Sequence, residues 1–109
     1  MTTAFAVLRE SGPAWSDGLS VLDQPGVAEH AAFMSGLAEA GAVLFAGPLE
    51  TGGRFRALLV MLGEDEEQIR HHLADDPWSV AGRLQTASIE RWTLLVGAER
   101  LAGQTPFGV

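Results

Sequence analysis

Cysteine is absent from this chain of 109 residues. Its absence excludes disulfides, thiolate metal ligands and a cysteine nucleophile, and leaves the redox compartment open. Lysine is absent too, so seven arginines stand against fourteen acids and the formal net charge is −7. Nucleic acids and anionic membranes need a basic protein surface, so we expect neither as a partner.

Long apolar runs are also missing, because none approaches the roughly 20 residues that span a bilayer. The start of the chain, Met1 to Phe5, lacks the basic residues and the apolar stretch of a signal peptide. We therefore expect a cytoplasmic protein. Without repeats or linkers, the sequence predicts one small domain over residues 1–97 and a tail over residues 98–109.

Motifs for metal ions and phosphate groups do not occur. The serines lie outside nucleophile-elbow contexts, and glycine-rich phosphate loops are missing. His72 and Asp76 would form an i, i+4 pair that could chelate, but no third ligand follows at the spacing of a metal motif. We therefore predict neither a metal nor a cofactor.

The chain does contain short apolar segments that alternate with helical patterns. We predict strands over residues 3–9, 42–48, 55–62 and 84–96, the last one bulged or kinked. Helices are predicted over residues 25–40 and from about 63 to 76. This βαββαβ order predicts a ferredoxin-like α+β fold, a four-stranded antiparallel sheet with two helices on one face.

The first helix has an apolar stripe that we expect to face the core, formed by Val27, Ala31, Met34 and Ala38. His30 lies beside the stripe, near the helix start. Before the helix, residues 10–24 form a long loop. Loops of this length are uncommon in small domains and are often binding loops or lids, although a surface excursion is an equal alternative.

The first three strands are apolar on both faces, as where Leu59 and Met61 alternate with Leu58 and Val60. A sheet covered on one side normally alternates apolar and polar residues. Because large exposed apolar patches mark interfaces, we predict a homodimer that buries sheet against sheet. The alternative is a set of scattered surface residues.

The predicted topology gathers several chemically active residues at one end of the molecule. Right-handed crossovers bring the end of strand one, the start of helix one and the end of helix two to this end. His30 and Asp76 are therefore expected to be neighbours. The same end should hold Arg9, the long loop with Trp15, the end of strand two at Pro48, and Trp78.

A carboxylate beside a histidine can fix its tautomer and leave the second ring nitrogen free to move a proton. His30 and Asp76 could form such a pair, although a lone histidine on an apolar helix face is often a structural residue. Arg9 could hold a substrate carboxylate or phenolate, or be a surface charge. Trp15, Trp78 and Trp92 could wall a pocket for a planar ligand, or pack in the core.

Several segments together give the chain a resemblance to a known family. They are Phe5-Ala6-Val7-Leu8, Glu29-His30-Ala31-Ala32-Phe33-Met34, Val43-Leu44-Phe45-Ala46-Gly47-Pro48-Leu49, Ala57-Leu58-Leu59-Val60, Ala74-Asp75-Asp76-Pro77-Trp78 and Glu90-Arg91-Trp92. With them the chain resembles the YCII-related (YciI-like) family of the dimeric α/β-barrel superfamily, from Phe5 to about Val96.

The resemblance implies a ferredoxin-fold homodimer with a His–Asp active-site pair, which maps onto His30 and Asp76. The fold is shared with muconolactone-isomerase-like proteins, and some relatives are linked to the breakdown of chlorinated aromatics. Ala46 departs from the family pattern, where glycine is frequent, and a side chain there would narrow the approach to a ligand.

We therefore expect a small cofactor-independent acid–base enzyme of the lyase, isomerase or dehydrochlorinase type, acting on a small anionic or aromatic metabolite. In this hypothesis His30 moves the proton and Asp76 orients His30. The ligand is held by Arg9, Trp15, Pro48 and Trp78. The alternatives are a non-catalytic ligand-binding or accessory domain, and a structural dimer module.

Overall fold

The computed structural model describes residues 3–50 and 52–101, and its elements follow the predicted order. The strands are β1 (Thr3–Ser11), β2 (Val43–Pro48), β3 (Arg56–Gly63) and β4 (Leu84–Arg91). The helices are α1 (Val27–Glu39), α2 (Glu66–Ala74) and the short α3 (Pro77–Val80), with 3-10 turns at Val21–Asp23 and Ala98–Leu101. The predictions for Thr51 and for residues 102–109 lie outside the described residues.

The four strands form one sheet in the order β2-β3-β1-β4, and every neighbouring pair is antiparallel. This is the strand order of a ferredoxin-like fold, so the predicted fold class is confirmed. No helix within the described residues is long and apolar enough to cross a membrane.

The core lies between the sheet and α2. Val7 on β1 and Met61 on β3 are completely buried, and α2 places Ile69 and Leu73 against them. The helix begins where Asp65 accepts a hydrogen bond from the backbone N–H of Gln68 at 2.8 Å, a standard N-terminal cap. The apolar spacing of α2 therefore predicts its buried face correctly.

Two strand ends differ from the prediction by more than one residue. β1 continues to Ser11 because Ser11 pairs with Leu84, so Arg9 lies inside the strand and not at its end. β4 ends at Arg91, five residues before its predicted end, and the Trp92 N–H adds one more hydrogen bond, to the Ala4 carbonyl. The predicted irregularity of β4 is confirmed as a register shift opposite Leu8 and Arg9.

Helix α1 does not pack tightly on the sheet. None of its residues is buried, and of the stripe predicted to face the core, Ala31 and Ala38 are exposed. Met34 packs against the edge of the core, yet Val27, Ala31 and Met34 all line an open cavity between the helix and the sheet. The apolar stripe is therefore largely the wall of a cavity.

The long loop after β1 is folded onto the protein at both ends. Gly12 and Ala14 donate backbone hydrogen bonds to the carbonyls of Arg83 and Gly82, at 2.7 and 3.0 Å. At the other end the buried amide of Gln24 accepts from the Ser16 N–H at 3.0 Å and donates to the Ser16 carbonyl at 2.8 Å. This loop is therefore a structured part of the end of the molecule where Arg9, His30 and Asp76 lie, called the top end below.

We predict that Gly12→Ala destabilises the fold, because the added methyl group would clash with the Gly82 carbonyl oxygen. Relief requires the loop and the start of β4 to separate, at a cost of about 1–3 kcal/mol of unfolding free energy in urea titrations. Gly36→Ala is the matched control. A methyl group at residue 36, inside α1, would meet no atom within 4 Å. Alanine should raise the unfolding free energy by about 0.5–1 kcal/mol there, because glycine is unfavourable in the middle of a helix. Equal stability of the two variants would contradict this account of the loop.

Candidate active site

The structure brings His30 and Asp76 into contact. Nδ1 of His30 lies 2.9 Å from both carboxylate oxygens of Asp76. Because an ionised carboxylate only accepts hydrogen bonds, Nδ1 carries the hydrogen, and the neutral ring has its lone pair on Nε2. Nε2 has no hydrogen-bond partner among the described residues, and the His30 side chain keeps 18% of its surface exposed.

Asp76 is placed by local sequence at the junction of α2 and α3. Its side chain accepts from the backbone N–H of Trp78 at 3.0 Å and so caps α3, with Pro77 as the first helical residue. The carboxylate is completely buried. The run Asp76-Pro77-Trp78 therefore fixes the carboxylate in space before any tertiary partner is considered.

Arg9 is the second partner of Asp76. Its Nη1 donates to Oδ2 of Asp76 at 2.9 Å, and its Nη2 donates to the hydroxyl of Ser79. That hydroxyl in turn donates to the Leu73 carbonyl at 2.7 Å, at the end of α2. The Arg9 side chain is only 2% exposed, and its Nε has no partner. Arg9 was predicted to hold a substrate anion, but Nη1 and Nη2 of its guanidinium are already bound within the protein.

The partners of Asp76 decide its ionisation. Burial by itself raises the pKa of the Asp76 carboxyl. The hydrogen bonds from His30 and Trp78, and the charges on protonated His30 and on Arg9, act in the opposite direction, and the pKa falls below its ordinary value. Burial lowers the pKa of Arg9, whereas the charge and the hydrogen bond of Asp76 raise it; burial has the larger effect. An arginine nevertheless stays charged in a protein.

Trp78 supports the histidine ring from one side. The two rings are stacked, with centroids 4.0 Å apart and planes at 8°. The indole is 1% exposed, and its Nε1 donates to the Pro25 carbonyl at 2.8 Å. Trp15 meets Trp78 edge-on at 5.8 Å and stacks on Phe55 at 4.6 Å. A chain of aromatic contacts therefore connects the long loop to His30.

His30 opens onto the cavity beneath α1, which has a volume of about 360 Å³. Pro48 and Trp78 lie on its wall as predicted for a top-end pocket, and so does Ala46. Within the described residues, His30 and Arg9 are the only ionisable side chains on the wall. The other lining residues are nearly all apolar: Val21, Leu22, Val27, Ala31, Met34, Gly47, Phe55, Ala57, Leu59 and Leu84.

Two tryptophans lie outside this wall. Trp15 lines a neighbouring cavity of about 340 Å³, which shares Val21 and Phe55 with the first. Trp92 is 44% exposed and bonds by its backbone N–H to Ala4, at the far end of β1. The structure therefore does not bring Trp92 to the site.

Sequence reasoning missed Ser79, which anchors Arg9, and Phe55, which lines both cavities. Ser79 could have been found from its position three residues after the capping aspartate. His72 does not join Asp76, whose oxygens are occupied by Arg9, His30 and Trp78. No group of three histidine or acidic side chains within residues 3–50 and 52–101 is arranged to hold a metal ion.

We predict that Asp76→Asn lowers the unfolding free energy by about 3–5 kcal/mol at pH 7, because it leaves the buried Arg9 charge without its partner. The pKa of Asp76 is lower in the folded chain than in the unfolded one, so its stabilisation is fully present above about pH 4. The difference between wild type and variant should shrink as pH falls below that value.

Urea unfolding across pH 2–8 measures both effects. The control is Asp75→Asn at the exposed neighbour, which should change stability by less than about 0.5 kcal/mol. A wild-type advantage that stays constant down to pH 2 would show that the Asp76 charge is not the source of the stabilisation.

Comparisons with known proteins show the fold. No protein-family model matches the chain, and no curated protein matches it in sequence. Among solved structures, the chain is similar to 5-chloro-2-hydroxyhydroquinone dehydrochlorinase from Burkholderia phenoliruptrix AC1100, in complex with 2,5-dihydroxybenzoquinone. The two share 21% identity and a TM-score of 0.58, over 83% of this chain and 93% of that one. This chain therefore shares the fold of a small-molecule enzyme.

Proposed function

We propose that this protein is a cofactor-independent acid–base enzyme of the lyase or isomerase type, with His30 as the proton-transferring residue and Asp76 as the group that orients it. One observation carries the proposal. A histidine ring has one nitrogen held at 2.9 Å by a buried carboxylate, and its other nitrogen is unpartnered beside an apolar cavity.

The proposed step begins with Nε2 of His30 taking a proton from a carbon or oxygen acid of the ligand. The bonding electron pair stays on the ligand, which becomes an anion. In a lyase this pair forms a double bond and expels a leaving group such as chloride; in an isomerase the proton returns to another atom. Asp76 stays ionised and stabilises the protonated ring.

The cavity favours a small molecule with apolar faces. Its volume of about 360 Å³ is near the lower end of the range of ligand sites, and its wall includes Pro48, Phe55 and Trp78. The aromatic substrate that names the structural neighbour fits this description. We therefore propose an aromatic or similarly planar substrate, with Trp15 acting at the boundary of the adjoining cavity.

The alternatives are a structural module and a binding module that uses the same cavity. A structural module would fill the space below α1, whereas the described residues leave an open cavity there. A binding module needs no proton acceptor aimed at its ligand. We therefore put catalysis first.

We predict that His30→Gln lowers turnover by about 10²–10⁴-fold, because the proton acceptor is removed while a polar side chain of similar length remains. The assay is chloride release from 5-chloro-2-hydroxyhydroquinone, chosen because the structural neighbour is named for it. His71→Gln, at an exposed histidine on α2, is the control and should keep full activity.

Thermal unfolding separates loss of chemistry from loss of fold. His30→Gln should keep the wild-type melting temperature within a few degrees, since His30 is partly exposed. Undiminished turnover in His30→Gln would remove His30 from the mechanism. A variant that unfolds would instead give His30 a structural role.

We also propose a cytoplasmic homodimer that buries the sheet face opposite the helices. Phe45 is 57% exposed, and Leu58 and Trp92 are 38% and 44% exposed. Their positions in the register place all three on the face turned away from the core residues Phe5 and Val7. Exposed aromatic and aliphatic side chains grouped on one sheet face are typical of an interface.

We predict that Leu58→Asp converts the dimer to a monomer in sedimentation velocity runs, because a carboxylate would be buried between two sheets without a partner. Val80→Asp is the control, at an apolar residue that is 77% exposed on α3. A wild-type chain that sediments as a monomer at all concentrations would contradict the proposed dimer.

A further inference from the structure

The buried Asp76 carboxylate is shared between two basic side chains. Arg9 holds Oδ2 at 2.9 Å from one side, and His30 reaches both oxygens at 2.9 Å from the other. Arg9 is a permanent cation, whereas His30 gains or loses its charge. Near neutral pH the three groups, called the charge triad below, therefore change their total charge only through His30.

Arg9 decides which form of the charge triad is neutral. With a neutral His30, the charges of Arg9 and Asp76 cancel. A proton on His30 then makes the triad +1. If Arg9 were uncharged, the same step would lead from −1 to neutral. Because uncompensated charge is costly beside an apolar cavity, Arg9 favours the neutral imidazole as the resting form.

On the basis of the proposed function, we propose that Arg9 is a positioning residue that keeps His30 uncharged and the charge triad neutral at rest, and that the cavity accepts a substrate that enters uncharged. The substrate class is a neutral carbon acid or phenol. It becomes an anion only when His30 takes its proton, and the anion is then balanced by the +1 charge triad.

The position of Arg9 explains why an incoming anion would be disfavoured. Its Nη1 and Nη2 are bound to Asp76 and Ser79, and its side chain is 2% exposed. A carboxylate entering the cavity would thus meet a neutral charge triad and apolar walls. It would bring a charge of −1 that no exposed cation in the cavity offsets.

No other described ionisable side chain on the cavity wall disturbs this balance. β2, β3 and β4 contribute apolar residues there, and His30 is the one ionisable residue that α1 contributes. Glu29, next to it on α1, is exposed. The cleft behind Arg9 includes Arg70, which pairs with Glu66 at 2.8 Å on the surface of α2.

The direct test is an NMR pH titration of the His30 ring without any ligand, in wild type, Arg9→Gln and Arg9→Lys. In Arg9→Gln the uncompensated carboxylate should hold the His30 proton to a pH about one unit higher than in wild type. Arg9→Lys keeps the charge and should titrate close to wild type. Arg91→Gln is the control, since it removes one exposed charge at the other end of the β1–β4 pair.

A double variant keeps the test valid if Arg9→Gln folds poorly. Arg9→Gln with Asp76→Asn removes both charges and should restore stability relative to Asp76→Asn alone. It should also let His30 hold its proton to a higher pH than in Asp76→Asn, where Arg9 repels the proton. The proposal is overturned if His30 titrates at the same pH whether or not residue 9 carries a charge.

Ligand binding tests the substrate class separately. In calorimetry at pH 8, wild type should bind hydroquinone, which is neutral, at least about tenfold more tightly than benzoate, an anion of similar size. The affinity for benzoate should rise as pH falls and His30 becomes protonated. Equal or tighter binding of benzoate at pH 8 would overturn the proposal. Neither measurement needs turnover, so a failure of the proposed function would appear only in the chloride-release assay.

Discussion

A single buried carboxylate holds the top end of this molecule together. Asp76 receives hydrogen bonds from the central strand through Arg9, from α1 through His30, and from the first turn of α3 through the Trp78 N–H. These elements are far apart in sequence and share few other polar contacts. Ionised Asp76 is therefore both a structural link and the orienting partner of the proposed base. Burial alone would favour its protonated form, and only this set of donors reverses that preference.

Whereas Asp76 stabilises the top end, the loose packing of α1 lowers its stability. A helix with Val27, Ala31 and Met34 on one side could bury them on the sheet, yet these residues border a cavity of about 360 Å³. Apolar side chains on an open cavity stay in contact with water, so they contribute less to stability than fully buried ones. At the other end α2 buries Ile69 and Leu73 against the sheet, so the fold can accommodate this cost. The same space gives the free nitrogen of His30 access to a small molecule.

Much of the fold was predictable because it depends on local patterns. The βαββαβ order follows from short apolar segments and helical periodicity, and the buried face of α2 follows from the spacing of Ile69 and Leu73. The neighbourhood of His30 and Asp76 follows from crossover handedness alone. Element ends were less predictable, since β1 runs two residues beyond its predicted end, where Ser11 pairs with Leu84.

The contacts within the site were beyond sequence reasoning because they depend on how the elements pack. Alternation along β1 puts Arg9 on the same sheet face as Phe5 and Val7. No residue pattern shows that the carboxylate of Asp76 and the hydroxyl of Ser79 meet its guanidinium there. Likewise the stripe of α1 has the spacing of a core face, and spacing cannot distinguish a packed face from a cavity wall.

The aromatic contacts join the long loop to the chemistry. Trp15 stacks on Phe55, meets the edge of Trp78, and Trp78 in turn stacks on the His30 ring. Stacking fixes the plane of the imidazole, while the bond from Nδ1 to Asp76 fixes its rotation within that plane. The direction of Nε2 is thus determined by two independent constraints, one apolar and one ionic. The loop supplies Trp15 to the aromatic stacking. Its anchoring at Gly12 and Gln24 therefore helps to hold the His30 ring in place.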